Sequence, residues 1–323
     1  MTIIRRMAVL LAAGALLLGG CGGDRSAGRA GDGGAGGRRL SIATGNTTGV
    51  YYVLGGALAD QIGRNIPGYQ ATAEATGASV ENIQRVVRGD SDIAFTLADS
   101  AADAVTGRGA FPSPQPIRAI ARLYDNYTQV VATVESGVKT LADLKGKRVS
   151  TGSPNSGTEV IALRLLMVAG LDPEEDVVLQ SLGLPESVQA IKDGDLDALV
   201  WSGGLPTPGV TDLMTSLKGE VTLIPLDDAP APLRDRYGQA YAAGTIPKDV
   251  YSTPADVATI TVPNLLVVNE GMDPALAGDL ARLLLEHRAE LERVHPAARS
   301  VTRESAPQTG PVPLHGGARK YYG

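Results

Sequence analysis

The sequence predicts an α/β fold with two similar lobes joined by a two-stranded hinge, and three observations lead to this expectation. First, LSIATGNTTGVY (40–51) and RVSTGSPNSGTE (148–159) both run from an apolar strand through a glycine-rich turn into a helix. Second, Gly-Asp-x-Asp precedes an apolar strand at 89–92 and again at 194–197. Third, strands and helices alternate at the spacing of βαβ units, which form parallel sheets. A chain that builds one α/β unit twice is expected to form two similar lobes, with a functional cleft between their polar turns.

The elements of the first copy are predicted from apolar periodicity and from residues that end helices. Apolar residues recur at helical spacing from 50 to 64, and Gly63 and Pro67 end that helix. Ser79 is a candidate N-cap for the next helix, which Gly89 ends. The predicted elements are strand 40–43, helix 50–64, strand 69–75, helix 80–88 and strand 93–97.

The second copy follows two predicted strands, 117–123 and 129–134, which we interpret as the switch between lobes. The predicted elements after them are a short helix 140–144, strand 147–150, helix 158–169, strand 177–182, helix 185–192, strand 198–201, helix 211–216 and strand 221–225. The β-branched run at 259–268 is interpreted as the return crossing, and 274–293 as a helix that packs on the first lobe. Lobe 1 is then 38–126 plus 264–323, and lobe 2 is 127–263. Two crossings make a hinge that can close the lobes around a ligand.

The N-terminal segment is predicted to direct export of the protein and to anchor it to the membrane. Residues 1–20 read as a signal peptide, because Arg5 and Arg6 precede an apolar stretch that is too short to span a bilayer. Small residues then precede Cys21, the only cysteine, as in a lipobox; the alternative is an ordinary secretory signal. Lipidation of Cys21, for example with palmitate, would anchor an extracytoplasmic protein to the cell membrane. Residues 21–37 are glycine-rich and are predicted to form a flexible tether.

The composition excludes several classes of protein. The chain has 323 residues, 43% of them hydrophobic, which is ordinary for a globular protein with room for two cores. Its net charge is −6 without a basic run in the body, which argues against a nucleic-acid partner. Aromatic residues make up only 4%, so Ala, Val, Leu and Ile must fill the cores. We expect a monomer.

The available side chains also exclude most catalytic and metal chemistry. The three histidines, His287, His295 and His315, all lie in the C-terminal stretch, where surface or helix-flanking positions are expected. The glycine spacing of 152–159 resembles a phosphate loop, but Thr158 stands where the lysine is needed, so the nucleotide interpretation fails. The paired Asp residues have too few ligands per segment for calcium and are interpreted as turn residues. We therefore predict no cofactor, no metal and no catalytic residue.

The chemistry that remains is anion binding at helix N-termini. Hydroxyl- and glycine-rich turns precede helices at Thr47–Gly49, at Ser79 and at Ser156–Gly157. Such turns offer free backbone N–H groups and the positive end of the helix dipole, each terminus worth about 0.3–1 kcal/mol at the surface and ~2 when partly buried. The alternative is that these hydroxyls only cap their own helices. The matching positions in both copies favour binding, at the carboxyl ends of the strands.

The predicted ligand-binding residues lie in these turns or close to the ends of neighbouring strands. They are Thr44, Asn46, Thr48, Tyr51, Ser79, Asn82, Asp99, Ser153, Asn155, Ser156, Gly157, Thr158, Trp201 and Gly203. Asp99 can bind a ligand amine or cap the next helix, and Trp201 can line a cleft or fill a core. The sequence leaves both alternatives open.

Four segments of the sequence together point to a known family. They are TGNTTGVYY (44–52), TGASVEN (76–82), SPNSGT (153–158) and VPNLLVV (262–268). In this combination they resemble the TAXI-type substrate-binding subunits of TRAP transporters. The resemblance implies a periplasmic-binding-protein fold of type II, with two Rossmann-like lobes that close on a glutamate-like amino acid or another small carboxylate. It also implies TRAP permease subunits in the membrane as partners, driven by an ion gradient.

The expected function is therefore capture of a small anionic or zwitterionic solute for delivery to a transporter. Two alternatives stay open from the sequence. An enzyme on the same bilobal scaffold would need an acid/base pair, for which Asp99 with Glu159 is the candidate. A sensory ectodomain would pass the bound state to a signalling partner.

Overall fold

Two repeats with the same strand order form most of the protein. The first repeat appears in the computed structural model, which describes residues 37–323, as β1 (Arg38–Ala43), α1 (Val50–Asn65), β2 (Tyr69–Glu74), α2 (Ser79–Arg88) and β3 (Ile93–Leu97). It is followed by α3 (Ala98–Thr106), β4 (Ile117–Thr133) and a 3-10 helix, Leu141–Leu144. The signal peptide predicted at 1–20, the lipidation site Cys21 and the tether up to residue 36 lie outside the described residues.

The second repeat is β5 (Arg148–Ser150), α4 (Gly157–Val168), β6 (Val178–Gln180), α5 (Leu184–Lys192) and β7 (Ala198–Gly203). β1 pairs in parallel with β2 and β3, and β5 pairs in parallel with β6 and β7. The strand orders are therefore 2-1-3 and 6-5-7, which confirms that one α/β unit is built twice.

The rest of the chain completes the sheet and covers it. Its elements are α6 (Pro208–Ser216), β8 (Val221–Leu223), α7 (Pro230–Tyr237), β9 (Ala242–Ile246), α8 (Lys248–Tyr251), β10 (Val257–Asn269), α9 (Pro274–Glu286), α10 (Arg288–Val294), a 3-10 helix Pro296–Ser300, and α11 (Gly316–Tyr322). The predicted helix over 274–293 is thus two helices, which meet at His287. Among residues 37–323, no helix combines the length and apolarity that crossing a bilayer requires.

β4 and β10 are long antiparallel strands that connect the two repeats. The sheet order is β2-β1-β3-β10-β4-β7-β5-β6, so each repeat is extended by one of them. The return crossing predicted at 259–268 corresponds to β10. The strands predicted at 117–123 and 129–134 are one continuous strand, since Asp125 and Asn126 between them pair with β10. Their polar side chains interrupt the apolar pattern at the point where β4 turns to its next partner, β7.

The repeated Gly-Asp-x-Asp segments are turns, as predicted. Gly89 and Gly194 have φ of 78° and 77°, which glycine adopts without steric cost. Asp92 Oδ2 accepts a hydrogen bond from the amide of Ser41 (2.9 Å), and Asp197 Oδ2 accepts one from the amide of Arg148 (2.8 Å). Each second aspartate therefore ties its turn to the first strand of its own repeat. No group of three or more potential metal ligands occurs in the described part of the chain.

Candidate functional site

Three helix N-termini meet at one cavity between the two repeats. Gly49 and Val50 at the start of α1, Ala78 and Ser79 at the start of α2, and Gly157 at the start of α4 all line it. The cavity volume is about 30 Å³, enough for roughly two water molecules. The glycine-rich turns of the two repeats therefore face each other, as the repeated sequence predicts.

Glycine is required where the turns approach most closely. A Cβ atom on Gly157 would lie 2.6 Å from both Ser79 Oγ and Leu97 Cδ1. A Cβ atom on Gly49 would lie 3.3 Å from the Trp201 ring. The missing side chains let the start of α4 contact the start of α2, and let α1 contact the end of β7.

Hydrogen bonds also connect the two repeats directly. Asn46 Nδ2 donates to Ser153 Oγ (3.2 Å), and Asn46 Oδ1 accepts from the amide of Leu184 (2.7 Å). The carbonyl of Asn155 accepts from the amides of Val80 (3.1 Å) and Glu81 (3.0 Å). Two first-turn amides of α2 are thus occupied by the facing loop, which leaves the N-terminus of α4 as the stronger anion site.

The hydroxyl groups in the cavity already accept hydrogen bonds from the protein. Ser156 Oγ accepts from the amide of Glu159 (2.9 Å), Thr158 Oγ1 from the amide of Ser202 (3.2 Å), and Ser79 Oγ from the amide of Leu97 (3.0 Å). Because each hydroxyl accepts a bond with its oxygen, its proton is free to be donated into the cavity. Three hydroxyl donors and a helix N-terminus therefore converge on the same space.

Aromatic side chains form the wall opposite these donors. Tyr51, Tyr124 and Trp201 line the cavity, and the Tyr51 hydroxyl donates to Asn264 Oδ1. Burial raises the pKa of Tyr51 and Tyr124 far above the usual range, so both phenols are neutral. The Trp201 indole donates to Thr207 Oγ1 (3.2 Å), which fixes its ring against Gly49. Trp201 therefore lines the cavity and also packs in the buried apolar cluster that includes Leu184 and Val210, so both alternatives from the sequence apply.

Nine of the predicted residues line the cavity, and five do not. The nine are Asn46, Tyr51, Ser79, Ser153, Ser156, Gly157, Thr158, Trp201 and Gly203. The five others are Thr44, Thr48, Asn82, Asp99 and Asn155, and four of these have clear structural roles.

Thr44 and Asn82 hold the first repeat together. Thr44 Oγ1 donates to the carbonyl of Glu74 (2.5 Å). Asn82 Nδ2 donates to the carbonyls of Thr44 (2.7 Å) and Phe95 (2.8 Å), and so ties the end of β1 to β3. Neither side chain has exposed surface. Their burial at strand ends explains why polar residues occur there.

Thr48 and Asn155 lie beside the cavity without lining it. The Thr48 hydroxyl is buried without a hydrogen-bond partner within the described residues and lies near Gly209. Asn155 is exposed and has φ of 59°, in the left-handed region that Asn tolerates. It acts through its backbone, not its side chain. Ser79, expected as an N-cap, is instead the first residue of α2, because Ala78 takes the cap position with φ of 85°.

Asp99 belongs to a buried ionic cluster behind the cavity. Asp99 Oδ2 accepts from Tyr241 (2.6 Å) and pairs with Arg164 Nη1 (3.3 Å), while its Oδ1 accepts from the amide of Ser100 (2.7 Å). Arg164 also pairs with Asp103. Burial raises the pKa of Asp99, and the charge of Arg164 opposes that shift. Asp99 has no free oxygen for a ligand amine.

The histidines lie away from the cavity. His295 and His315 flank helices, as expected, but they are buried and not on the surface. Each accepts a hydrogen bond from a backbone amide at a helix start, His295 from Ala297 (3.2 Å) and His315 from Gly317 (3.2 Å). They are helix caps.

Sequence reasoning missed several residues that line the cavity. They are Gly45, Val50, Gly77, Ala78, Leu97, Tyr124, Asn126 and Ser202, whereas Gly49 belongs to a turn that the sequence predicts at the cleft. Tyr124 and Asn126 lie in the part of β4 that was not predicted as strand. Asn126 Nδ2 donates to the carbonyl of Ser202 (3.1 Å), and its Oδ1 accepts from Asn264 (2.7 Å). Ser202 directly follows Trp201, so its position next to a predicted residue was the available signal.

The lining carries no charged side chain, and two of its hydroxyls have no partner. Tyr124 OH and Ser202 Oγ make no hydrogen bond within residues 37–323, although both side chains are buried. A buried polar atom without a partner costs about 1–3 kcal/mol. A bound molecule that reaches these two hydroxyls would recover that cost.

Known structures share this architecture. A protein from Bordetella bronchiseptica RB50 is 20% identical over 79% of this chain and 75% of its own, with a TM-score of 0.53. The binding protein component of an ABC phosphonate transporter from Pseudomonas aeruginosa is 13% identical, with 81% and 79% covered and a TM-score of 0.54. A protein from Prochlorococcus marinus in complex with methylphosphonate is 10% identical, with 81% and 90% covered and a TM-score of 0.54.

These similarities confirm the predicted fold, that of the type II periplasmic binding proteins. The sequence itself identifies the family to which the chain belongs. Residues 42–323, which contain both repeats and the crossing strands, match one family along their whole length. The chain belongs to the NMT1-like family.

Proposed function

We propose that this protein is an extracytoplasmic solute-binding protein that captures a small carboxylate in the cavity between its repeats. The observation that carries the proposal is the convergence of the N-termini of α1, α2 and α4 on a space that no charged side chain lines. An anion is favoured there by the helix dipoles and by N–H and O–H donors, without a cationic partner. The fold and family support a binding role.

The amides of Gly157 and Thr158 and the hydroxyls of Ser79, Ser156 and Thr158 are the proposed carboxylate ligands. Thr48, expected from the sequence to contribute a hydroxyl, does not line the cavity and is left out. Hydrogen bonds to a charged group are worth about 1.5–3 kcal/mol each. Several of them, with burial of the solute, can reach the roughly −8 kcal/mol of a micromolar dissociation constant.

Binding requires the cleft to open and close. A cavity of about 30 Å³ is too small to admit an organic acid in the present arrangement. We place the hinge in β4 and β10, with lobe 1 at 38–126 plus 264–323 and lobe 2 at 127–263. Opening separates Asn46 from Ser153 and Asn155 from α2. The lobes then close over the solute, with the facing turns held slightly apart by it.

The proposed partner is a TRAP-type permease of the TAXI class. The four segments that resemble TAXI subunits support it, and three of them, 44–52, 76–82 and 153–158, contribute cavity residues. Lipidation at Cys21 would hold the protein at the membrane. A second candidate partner is an ABC transporter, because the similar Pseudomonas protein is a component of one. Uptake by the reconstituted transporter would depend on an ion gradient in the first case and on ATP in the second.

We propose that the protein binds the solute and does not convert it chemically. The acid/base pair that an enzyme would need, Asp99 with Glu159, is not assembled in the cavity. Asp99 is buried in the ionic cluster, and Glu159 Oε2 accepts from the amide of Asn155 (2.8 Å).

The double variant Ser156→Ala with Thr158→Ala tests the site. It removes two hydroxyl donors to a charged group, so calorimetry should show affinity at least about 100-fold weaker, each lost bond being worth about 1.5–3 kcal/mol. Ser156 also caps α4, so some stability is lost. Asp273→Ala, which removes the N-cap of α9 outside the cavity, is the matched control. Unchanged affinity in the double variant would contradict the site.

A further inference from the structure

The acceptors and donors of the cavity indicate which kind of carboxylate it takes. We infer that the solute is a small hydroxy acid or oxo acid, in which an uncharged oxygen accompanies the carboxylate, and not an amino acid. This inference rests on the proposed function, because it assumes that the carboxylate binds at the helix N-termini. The sequence predicts an anionic or a zwitterionic solute, and this inference narrows that range to anionic solutes without an amine.

An ammonium group has no counter-charge in the cavity. Within the described residues, the lining contains hydroxyl, amide, aromatic and aliphatic groups but no Asp or Glu. Three helix N-termini point their positive ends toward the same space, which disfavours a second positive charge. Burying an unpaired ammonium group costs several kcal/mol.

Three acidic side chains around the cavity are engaged elsewhere, and Glu186, which lies near Asn46 and Ser153, is exposed and does not line the cavity. Asp99 is saturated by Tyr241, Arg164 and the amide of Ser100. Glu81 Oε2 accepts from the amide of Gly77 (2.7 Å), at the loop before α2. Glu159 accepts from the amide of Asn155 (2.8 Å) and from Ser181 Oγ (2.9 Å). The two glutamates hold the facing loops in shape, so moving either toward a ligand would break the turn that forms the site.

The two side-chain amides at the cavity are also engaged. Asn126 uses Nδ2 for the carbonyl of Ser202 and Oδ1 for Asn264. Asn46 uses Nδ2 for Ser153 and Oδ1 for the amide of Leu184. Each carbonyl oxygen already accepts one hydrogen bond, and neither side chain carries the negative charge that would offset an ammonium group.

Among the residues that line the cavity, the unpartnered side-chain groups are Tyr124 OH and Ser202 Oγ. They are 2% and 5% exposed and line the cavity without a partner within residues 37–323. A hydroxyl donates one hydrogen bond and accepts others, which suits a keto oxygen or another hydroxyl. Tyr124 lies on β4 and Ser202 on β7, and both are distinct from the serine and threonine hydroxyls proposed for the carboxylate. A second oxygen of the solute therefore has its own pair of partners.

Trp201 provides a site-specific readout for the test. It is the only tryptophan of the chain and lines the cavity, so its emission reports a solute that enters. The probes are matched acids with one carbon skeleton: lactate and pyruvate against alanine, malate and oxaloacetate against aspartate, and 2-hydroxyglutarate and 2-oxoglutarate against glutamate. Calorimetry on the same samples confirms each titration.

The expected result is that the tightest binder is a hydroxy or oxo acid, at least about 100-fold tighter than the amino acid of its skeleton, or ~2.7 kcal/mol. An amino acid that binds as tightly as its oxygen analogues overturns this inference and leaves the carboxylate site intact. If no acid of the panel changes the emission or gives heat, the proposed function itself fails.

A second variant tests the electrostatic reason. Ser202→Asp places a carboxylate in the lining, and Ser202→Asn is the control of similar size without charge. The ratio of amino-acid to oxo-acid affinity should rise at least about tenfold in Ser202→Asp relative to Ser202→Asn, or ~1.4 kcal/mol. Equal ratios in the two variants would contradict the missing counter-charge as the basis of selectivity.

Discussion

The cavity and the ionic cluster are two buried polar regions that share helix α4, yet they differ in how their groups are satisfied. The ionic cluster consists of Arg164, Asp99, Asp103 and Tyr241, and it joins α3 to α4 and the start of β9. Its charged groups bond to one another. The cavity has no charge in its lining and leaves Tyr124 OH and Ser202 Oγ without partners.

This difference distinguishes buried polar groups that stabilise the fold from buried polar groups that can bind a ligand. A buried charge that is paired on every side stabilises one arrangement of the chain and has nothing left for a ligand. A buried hydroxyl without a partner reduces stability until a ligand arrives. Asp99 is an acidic residue near the cleft, but its charge is paired within the protein and is not available to a ligand. The proposed solute-binding role belongs to the neutral groups.

The largest expected effect comes from breaking the ionic cluster. Arg164→Met leaves Asp99 buried without its cation and should lower the free energy of unfolding by about 3–5 kcal/mol, measured by urea denaturation. Arg282→Met is the matched control, because Arg282 pairs with Asp279 and Glu286 on the surface, where a pair contributes up to about 1 kcal/mol. Equal losses in the two variants would contradict a stabilising role for the cluster.

The next effect concerns closure of the cavity. Gly157→Ala places a methyl group 2.6 Å from Ser79 Oγ and Leu97 Cδ1, so the facing turns cannot meet. Overpacking costs about 1–3 kcal/mol, which corresponds to an affinity roughly 5- to 150-fold weaker by Trp201 fluorescence. Gly56→Ala is the control, since a Cβ there contacts nothing within 4 Å. Tight binding by Gly157→Ala would show that the turns need not touch.

A smaller effect distinguishes unpartnered from saturated polar groups. Tyr124→Phe and Ser202→Ala should each weaken binding by about 0.5–1.5 kcal/mol without lowering the stability of the free protein. Asn82→Ala breaks the bonds to Thr44, Phe95 and Thr76 and should show the reverse, lower stability with the site groups still present. Calorimetry and urea denaturation measure the two quantities. Loss of stability in Tyr124→Phe would mean that its hydroxyl is satisfied in the free protein.

The smallest effect is the pH dependence of stability. Burial lowers the pKa of His295 below its usual 6.5, although its bond to the Pro206 carbonyl opposes this. The unfolded chain therefore takes up the proton first, and stability present above about pH 6.5 is lost as the pH falls through the folded-state value. His295→Asn should reduce the drop in Tm between about pH 7.5 and pH 5.5. Solute affinity should stay constant over this range, because the lining holds only neutral phenols and hydroxyls.

The sequence predicted the repeated unit and the facing turns because both depend on local patterns. Gly49 and Gly157 occupy equivalent places before a helix, and equivalent strands of one sheet bring equivalent turns to the cleft. Asp99 was harder to interpret, since its partner Arg164 lies 65 positions away on another helix. Tyr124 and Asn126 were missed because a strand that changes partners has no regular alternation of apolar and polar residues. The environment of these residues depends on contacts between elements that are far apart in the sequence, and local secondary-structure propensities do not reveal such contacts.

The most direct measurement is a crystal structure of the protein with the tightest-binding acid of the matched panel. The account predicts the carboxylate in the cavity, with its oxygens about 2.7–3.2 Å from the amide nitrogens of Gly157 and Thr158. Its second oxygen should contact Tyr124 or Ser202. A carboxylate paired with an arginine or lysine side chain, or bound outside the cavity, would contradict the account.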